Sequence, residues 1–244
     1  LKSIATPEDI PVELIETIRA HAAQAAPNEC CGLVVRAEVG LCYLPCTNHS
    51  RNGKDTFVIG PEDYARAEDL GEVVLVVHSH PFASPAPSEV DRLVCAQGDT
   101  PWLIVNHPVG HFHLMQPEPY ELPLLGRPFH HGVTDCYALV RDYYRRECLI
   151  ALPHYDRADQ WWMRGDNLYI DNFQQAGFVR VDDAPRRHDA FLMQVRAPVP
   201  NHAAIYLGDE IILHHLWGRL SSREVYGDFW RRLTMVHLRH ESLL

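Results

Sequence analysis

The stretch from residue 116 to 128 constrains the fold more than any other part of the chain. It holds four prolines and follows neither a helical nor a strand period. Proline fixes φ and removes a backbone donor, so such a stretch does not run through the interior of a helix or a central strand. It lies near the middle of 244 residues, and each side of it is long enough to bury a core of its own. The organisation expected is a first domain over 1–116, a linker over 117–130 and a second domain over 131–244.

The halves differ in pattern. In the first, residues 11–25 carry Val12, Ile15 and Ile18 at helical spacing behind a first-turn proline. Strand-length runs follow at 32–36, 41–44 and 56–59, with a helix over 61–70. Residues 72–78 are an almost unbroken run of valine and leucine, the pattern of a strand covered on both faces. A proline-rich loop, a short helix from about Ser88, and strands at 102–106 and 111–115 complete this half. In the second, helices over 134–148 and 168–175 precede strands at 191–195, 202–207, 211–215 and 234–238. The class expected is α+β: a sheet flanked by helices, then helices packed on an antiparallel sheet.

Composition removes several functions. A net charge of −10 sets the chain against polyanions, and the cluster Arg141, Arg145 and Arg146 reads as a solvated helix face, so no nucleic-acid partner is expected. Seven scattered cysteines form no disulfide framework, which implies reduced thiols and intracellular synthesis. Cys42 and Cys46 resemble half a zinc clip, but no second pair stands at suitable spacing. Glu8, Asp9, Glu13 and Glu16 exclude a signal peptide or membrane span over 1–20, and no membrane insertion is expected.

The most specific feature is His78-Ser79-His80-Pro81 followed by Ser88 and Asp91. Residues two apart on a strand share a face, so both imidazoles can reach one ion. Ser88 and Asp91, three apart on the next helix, can point back at the strand end. Two His and one Asp leave a fourth position on zinc for water, the mark of an open, catalytic site. The same Ser and Asp spacing also fits a helix N-cap.

With Glu29-Cys30-Cys31-Gly32 added upstream, this half resembles the JAMM (Mov34/MPN) metallopeptidases over about residues 10–115. The resemblance implies zinc held by His78, His80 and Asp91. It also implies Glu29 as general base on the bound water and Ser88 as an aid to the oxyanion.

Cys136 follows Thr134 and Asp135 at the start of a helix, where the dipole lowers a thiol pKa. His202 opens a strand that runs to Gly208, and His214 and His215 end the next strand. A hairpin turning about Gly208 sets His202 opposite His214, whereas a two-residue turn at Gly208 and Asp209 sets it opposite His215. The arrangement resembles the NlpC/P60 cysteine peptidases over about residues 120–244, a papain-like fold. It implies Cys136 as nucleophile, His202 as base and His214 as the residue that orients it. Tyr137 stands where that family has a small residue, and the aromatic residue usual upstream is missing from Leu124-Leu125-Gly126-Arg127. His130, His131, His154 and His188 have no evident partner and read as surface residues.

The two domains in this order resemble the tail tip assembly protein K family of long-tailed phages. That implies a hydrolase acting in tail tip assembly on a peptide or a peptidoglycan stem peptide, with other tail tip proteins as partners. Its location would be the host cytoplasm during assembly, then the virion tail tip. The other reading is an assembly factor whose peptidase folds serve as docking modules. Nothing in the sequence points to a ubiquitin system, which disfavours deubiquitination by the first domain.

Overall fold

The computed structural model describes Ile4, Thr6 and residues 9–244; Glu8, one of the N-terminal acids, lies outside the described residues. The chain divides into two compact units between Glu121 and Leu122.

The first unit comprises α1 (Val12–Ala25), β1 (Cys31–Ala37), β2 (Gly40–Cys46), α2 (Pro61–Leu70), β3 (Glu72–Pro81), α3 (Glu89–Cys95), β4 (Trp102–His107) and β5 (Phe112–Met115). Its sheet runs β2-β1-β3-β4-β5, with β3 and β4 parallel and the other pairs antiparallel. Leu75 and Val77 of β3 pack with Ile15, Ile18 and Ala22 of α1, while Val76 packs with Ala67 of α2 and Cys95 of α3. Covering on both faces explains the continuous apolar run in β3, each buried Val or Leu contributing about 1.5–3 kcal/mol. Residues 56–59, expected as a strand, form only an isolated bridge between Asn48 and Ile59. The Asn48 side chain accepts from the Ser50 and Val58 amides there, so local bonds take the place of a ladder.

The second unit begins inside the proline-rich segment. Leu122 and Arg127 are each 1% exposed, although 117–130 was expected as a linker. Arg127 donates to the Leu122 and Pro123 carbonyls and pairs with Asp142 at 2.7 Å, and its amide donates to the Ser221 hydroxyl. The prolines do mark irregular backbone, but a buried guanidinium satisfies that backbone and ties it into a core.

There follow α4 (Cys136–Tyr143), α5 (Leu168–Asn172), β6 (Phe178–Arg180), β7 (Ala190–Met193), β8 (His202–Gly208), β9 (Ile211–His214), β10 (Ser222–Val225), α6 (Asp228–Leu233) and β11 (Thr234–His240). The sheet order is β10-β9-β8-β7-β11-β6, with every pair antiparallel. Leu139 and Val140 of α4 pack on Ala203, Ile205 and Leu213, whereas Phe191, Ala204 and Ile212 face Tyr226 and Trp230 on the other side. The helix expected to reach Cys148 widens into a π turn at Tyr144–Cys148. The elements β6, β10 and α6 are too short to show a period and went unread.

Three of the four histidines expected at the surface are partly buried, and the rings of His131, His154 and His188 have clear partners, that of His154 being Arg141 at 3.1 Å. His188 lies 2.9 Å from the Tyr143 hydroxyl, and His131 Nε2 is 3.0 Å from the Arg157 carbonyl. Only His154 is exposed. No helix among the described residues is long and apolar enough to cross a membrane.

Candidate active sites

His78 and His80 leave the end of β3 on one face. His78 is fully buried, stacked on Phe57 at 4.6 Å between ring centroids and edge-on to Trp102 at 5.5 Å. His80 donates from Nδ1 to the Ser84 carbonyl at 2.8 Å, which leaves its Nε2 lone pair free to face inward. Ser88 caps α3. Its hydroxyl accepts from the Asp91 amide at 3.1 Å, and its own amide donates to Asp91 Oδ2 at 2.7 Å. The capping box is therefore real, and it is what aims Asp91 back at the histidines.

The two Nε2 atoms are 3.1 Å apart, and Asp91 Oδ1 and Oδ2 lie 3.4 Å from His78 Nε2 and His80 Nε2 respectively. An ion with four tetrahedral bonds of about 2.0–2.1 Å requires donor separations of about 3.3–3.4 Å, so this set fits one. His78 Nδ1 has no hydrogen-bond partner, and aromatic packing alone orients that ring. Burial alone would raise the Asp91 carboxyl, but hydrogen bonds from His78 and His80 hold it well below the usual carboxylate range. Burial lowers His78; it acts likewise on His80, but there the Asp91 carboxylate prevails and raises it. These three side chains can hold a metal ion.

Glu29 stands just before β1, and extending the β1–β3 register, in which Cys31 pairs with His78, brings it level with His80. Its amide donates to the Gly53 carbonyl and its own carbonyl accepts from Asn48, which pins the backbone. The side chain is outside the ligating trio yet close enough to feel His80 and Asp91. Burial pushes its carboxyl up to about 8, with Asp91 and Asp55 adding to the rise and His80 opposing it.

In the second unit Asp135 caps α4 by accepting from the Ala138 amide, and it forms a two-point pair with the buried Arg157 at 2.9 and 3.1 Å. Cys136 is 6% exposed. Burial, reinforced by Asp135, pushes its thiol up to about 11, opposite to the lowering expected from the helix start. A helix terminus is visible in sequence; the loss of water around the sulfur is not. The sulfur lies 3.1 Å from the Tyr169 hydroxyl and also faces the Ala203 amide. No hydrogen bond joins it to His202.

His202 Nε2 and His214 Nδ1 are 3.1 Å apart, and both rings are buried. Ala204 rather than His202 lies opposite His214, because the Asp209 and Glu210 turn and a bulge near Leu207 shift the register by two. A shift of two preserves the face, so the rings still meet. His215 points elsewhere, with Nε2 3.1 Å from the Arg219 carbonyl and its ring against Phe129. Tyr137, in place of a small residue, fills the space beside Arg157, and its hydroxyl donates to the Pro153 carbonyl. Phe57, Tyr169 and Arg157 went unread in the sequence because each reaches its site from a separate loop or helix.

Residues 11–117 match the family of prokaryotic homologs of the JAB domain, and residues 126–239 match the NlpC/P60 family. A JAB1/MPN domain protein of solved structure from Archaeoglobus fulgidus aligns over 45% of this chain and 90% of its own, at 25% identity and a TM-score of 0.29. The tail tip assembly protein K of Escherichia phage N15 is 43% identical over 94% of this chain and 95% of its own length. That of Escherichia phage lambda is 44% identical over 75% of this chain and 90% of its own. The chain belongs to the tail tip assembly protein K family, built as a JAB-type domain followed by an NlpC/P60 domain.

Proposed function

We propose that this chain is a two-site amide hydrolase of phage tail tip assembly, a zinc peptidase in its first domain and a cysteine peptidase in its second. The observation that carries the reading is the convergence of His78, His80 and Asp91 with the buried Glu29 behind them. Zinc bound there would supply a Lewis acid and a water of lowered pKa, about 7. Glu29 takes the proton of the attacking water and passes it to the leaving amine. Ser88, whose oxygen accepts from the Asp91 amide, still has its hydroxyl proton to donate to the oxyanion.

In the second domain His202 accepts the Cys136 proton at Nδ1, since its Nε2 is engaged by His214. Ala203, whose amide faces the sulfur, is the next residue to His202, which supports the two side chains meeting at the start of β8. Such contacts are often long before substrate binds. The relatives' name supports tail tip proteins as partners, and the NlpC/P60 match supports peptides, including peptidoglycan stem peptides cut at a D-γ-glutamyl bond, as substrates. Action in the host cytoplasm during assembly, and then at the virion tail tip, follows from the same role; the net charge of −10 speaks against nucleic acid as a partner.

One observation favours the docking-module reading for the second domain: the thiol is buried under Tyr169 and not bonded to His202. To decide, muropeptides and candidate tail proteins are incubated with the zinc-loaded chain and with His80→Ala and Cys136→Ala variants, and products are read by mass spectrometry. Cleavage lost separately in each variant supports the enzyme. Identical products with no enzyme present, together with full tail production by both variants, would leave only assembly.

A further inference from the structure

Of the two histidines paired in the second domain, His214 is 1% exposed, and its Nε2 has no hydrogen-bond partner. The Oε1 atom of Glu224 lies 3.4 Å from it. Glu224 sits on β10, where it pairs with Ile212 while Ser222 pairs with His214, so it reaches the imidazole from a diagonal position on the same face. Its other oxygen accepts from the Trp230 indole at 3.0 Å, and Trp230 lies edge-on to His214 at 4.6 Å. The carboxylate is thus held on two sides and directed at a buried ring nitrogen.

We propose that Glu224 is a positioning residue of the thiol site, selecting the His214 tautomer that leaves His202 Nδ1 bare toward Cys136. The inference rests on His202 being the base. One proton lies between His202 Nε2 and His214 Nδ1. If His214 supplied it, His214 Nε2 would turn a lone pair on the Glu224 carboxylate, and His202 would carry its own proton at Nδ1, where it could accept nothing. With the proton on His202 Nε2, His214 carries Nε2–H toward Glu224, both contacts become attractive, and His202 Nδ1 is free. The carboxylate favours the second arrangement because it can only accept. When the S–H bond of Cys136 breaks and the proton joins His202 Nδ1, the positive charge is shared with His214 and faces Glu224. Burial of His202 opposes that charge most, joined by His215 and by Arg219, 3.7 Å from the same Glu224 oxygen; burial and Asp135 oppose the thiolate, and Arg157 favours it.

The test uses the full chain and iodoacetamide, with alkylation of the Cys136 peptide followed by mass spectrometry from pH 5 to 10. The variants are His202→Ala, Glu224→Gln and Glu224→Asp. The expected result is a Cys136 thiol whose alkylation climbs with pH across this range in the parent, as its raised value requires, and is slower throughout in His202→Ala. In Glu224→Gln the inflection moves up by about one pH unit, so the rate at pH 7 falls about tenfold, and it recovers in Glu224→Asp. The imidazole ¹⁵N shifts of His202 should report Nε2–H in the parent and a mixture in Glu224→Gln. An unchanged rate profile and unchanged shifts in Glu224→Gln, with His202→Ala still impaired, would overturn the role of Glu224 alone. No effect of His202→Ala would overturn the base assignment and this inference with it.

Discussion

Asp91 serves both helix and site: Oδ2 accepts from the Ser88 amide while Oδ1 and Oδ2 face two imidazoles. Glu29, by contrast, holds no ligating position, so its loss should separate binding from chemistry. Glu29→Gln is expected to retain one zinc per chain by elemental analysis while peptide hydrolysis falls about 10²–10⁴-fold. In the thiol site Tyr169 is the sulfur's hydroxyl partner. Tyr169→Phe should push the thiol further up and slow neutral-pH alkylation of Cys136 about tenfold, consistent with about 1.5–3 kcal/mol for a bond to a charged group. The trio His78, His80 and Asp91 was legible because spacings of two on a strand and three on a helix decide which side chains share a face. Tyr169 and Phe57 were not, since each is brought in by a fold-level contact that no local spacing encodes. The direction of the Cys136 shift was misread for a related reason: burial is a property of the packed unit.

Among the elements, α4 depends on its cap. Asp135 satisfies the Ala138 and Gly132 amides and neutralises Arg157 in a nearly dry setting. Asp135→Ala should remove a cap worth about 1 kcal/mol and strand a buried guanidinium, destabilising the second unit by roughly 3–5 kcal/mol in urea titrations. At the sheet, Asp189 before β7 binds Arg239 of β11 at 2.8 Å through both oxygens and His237 at 2.7 Å. Burial would raise its carboxyl, but Arg239 and the Arg186 amide hold it below 3.8. A lowered folded-state pKa means the stabilisation is present above about pH 4 and is lost as pH falls through the folded value. Asp189→Asn should therefore lower the melting temperature at pH 7 and flatten its decline toward pH 3. The long elements α1, α2, β3 and β8 were legible, α1 from its helical spacing and β3 from its unbroken apolar run. The β8–β9 register was not, because it depends on positive φ at Asp209 and Glu210, residues with no strong preference for that conformation.

At the scale of the whole molecule, two cores on either side of Glu121 imply two unfolding events. Only the first unit contains the ligating trio, so a chelator should lower one calorimetric transition and leave the other unchanged; at zinc a hundredfold above its dissociation constant the loss is about 2.7 kcal/mol. The division into two domains was legible from the prolines, but its exact edge was not, since Arg127 draws residues 122–128 into the second core. The central claim is that side chains scattered through the first half assemble one metal centre from nitrogen and oxygen alone. X-ray absorption at the zinc edge of the purified chain tests it most directly. The account predicts one zinc with a shell of nitrogen and oxygen at about 2.0–2.1 Å that is lost in Asp91→Ala. A sulfur shell at about 2.3 Å, which would place the ion on cysteine, or full zinc retention in Asp91→Ala would contradict it.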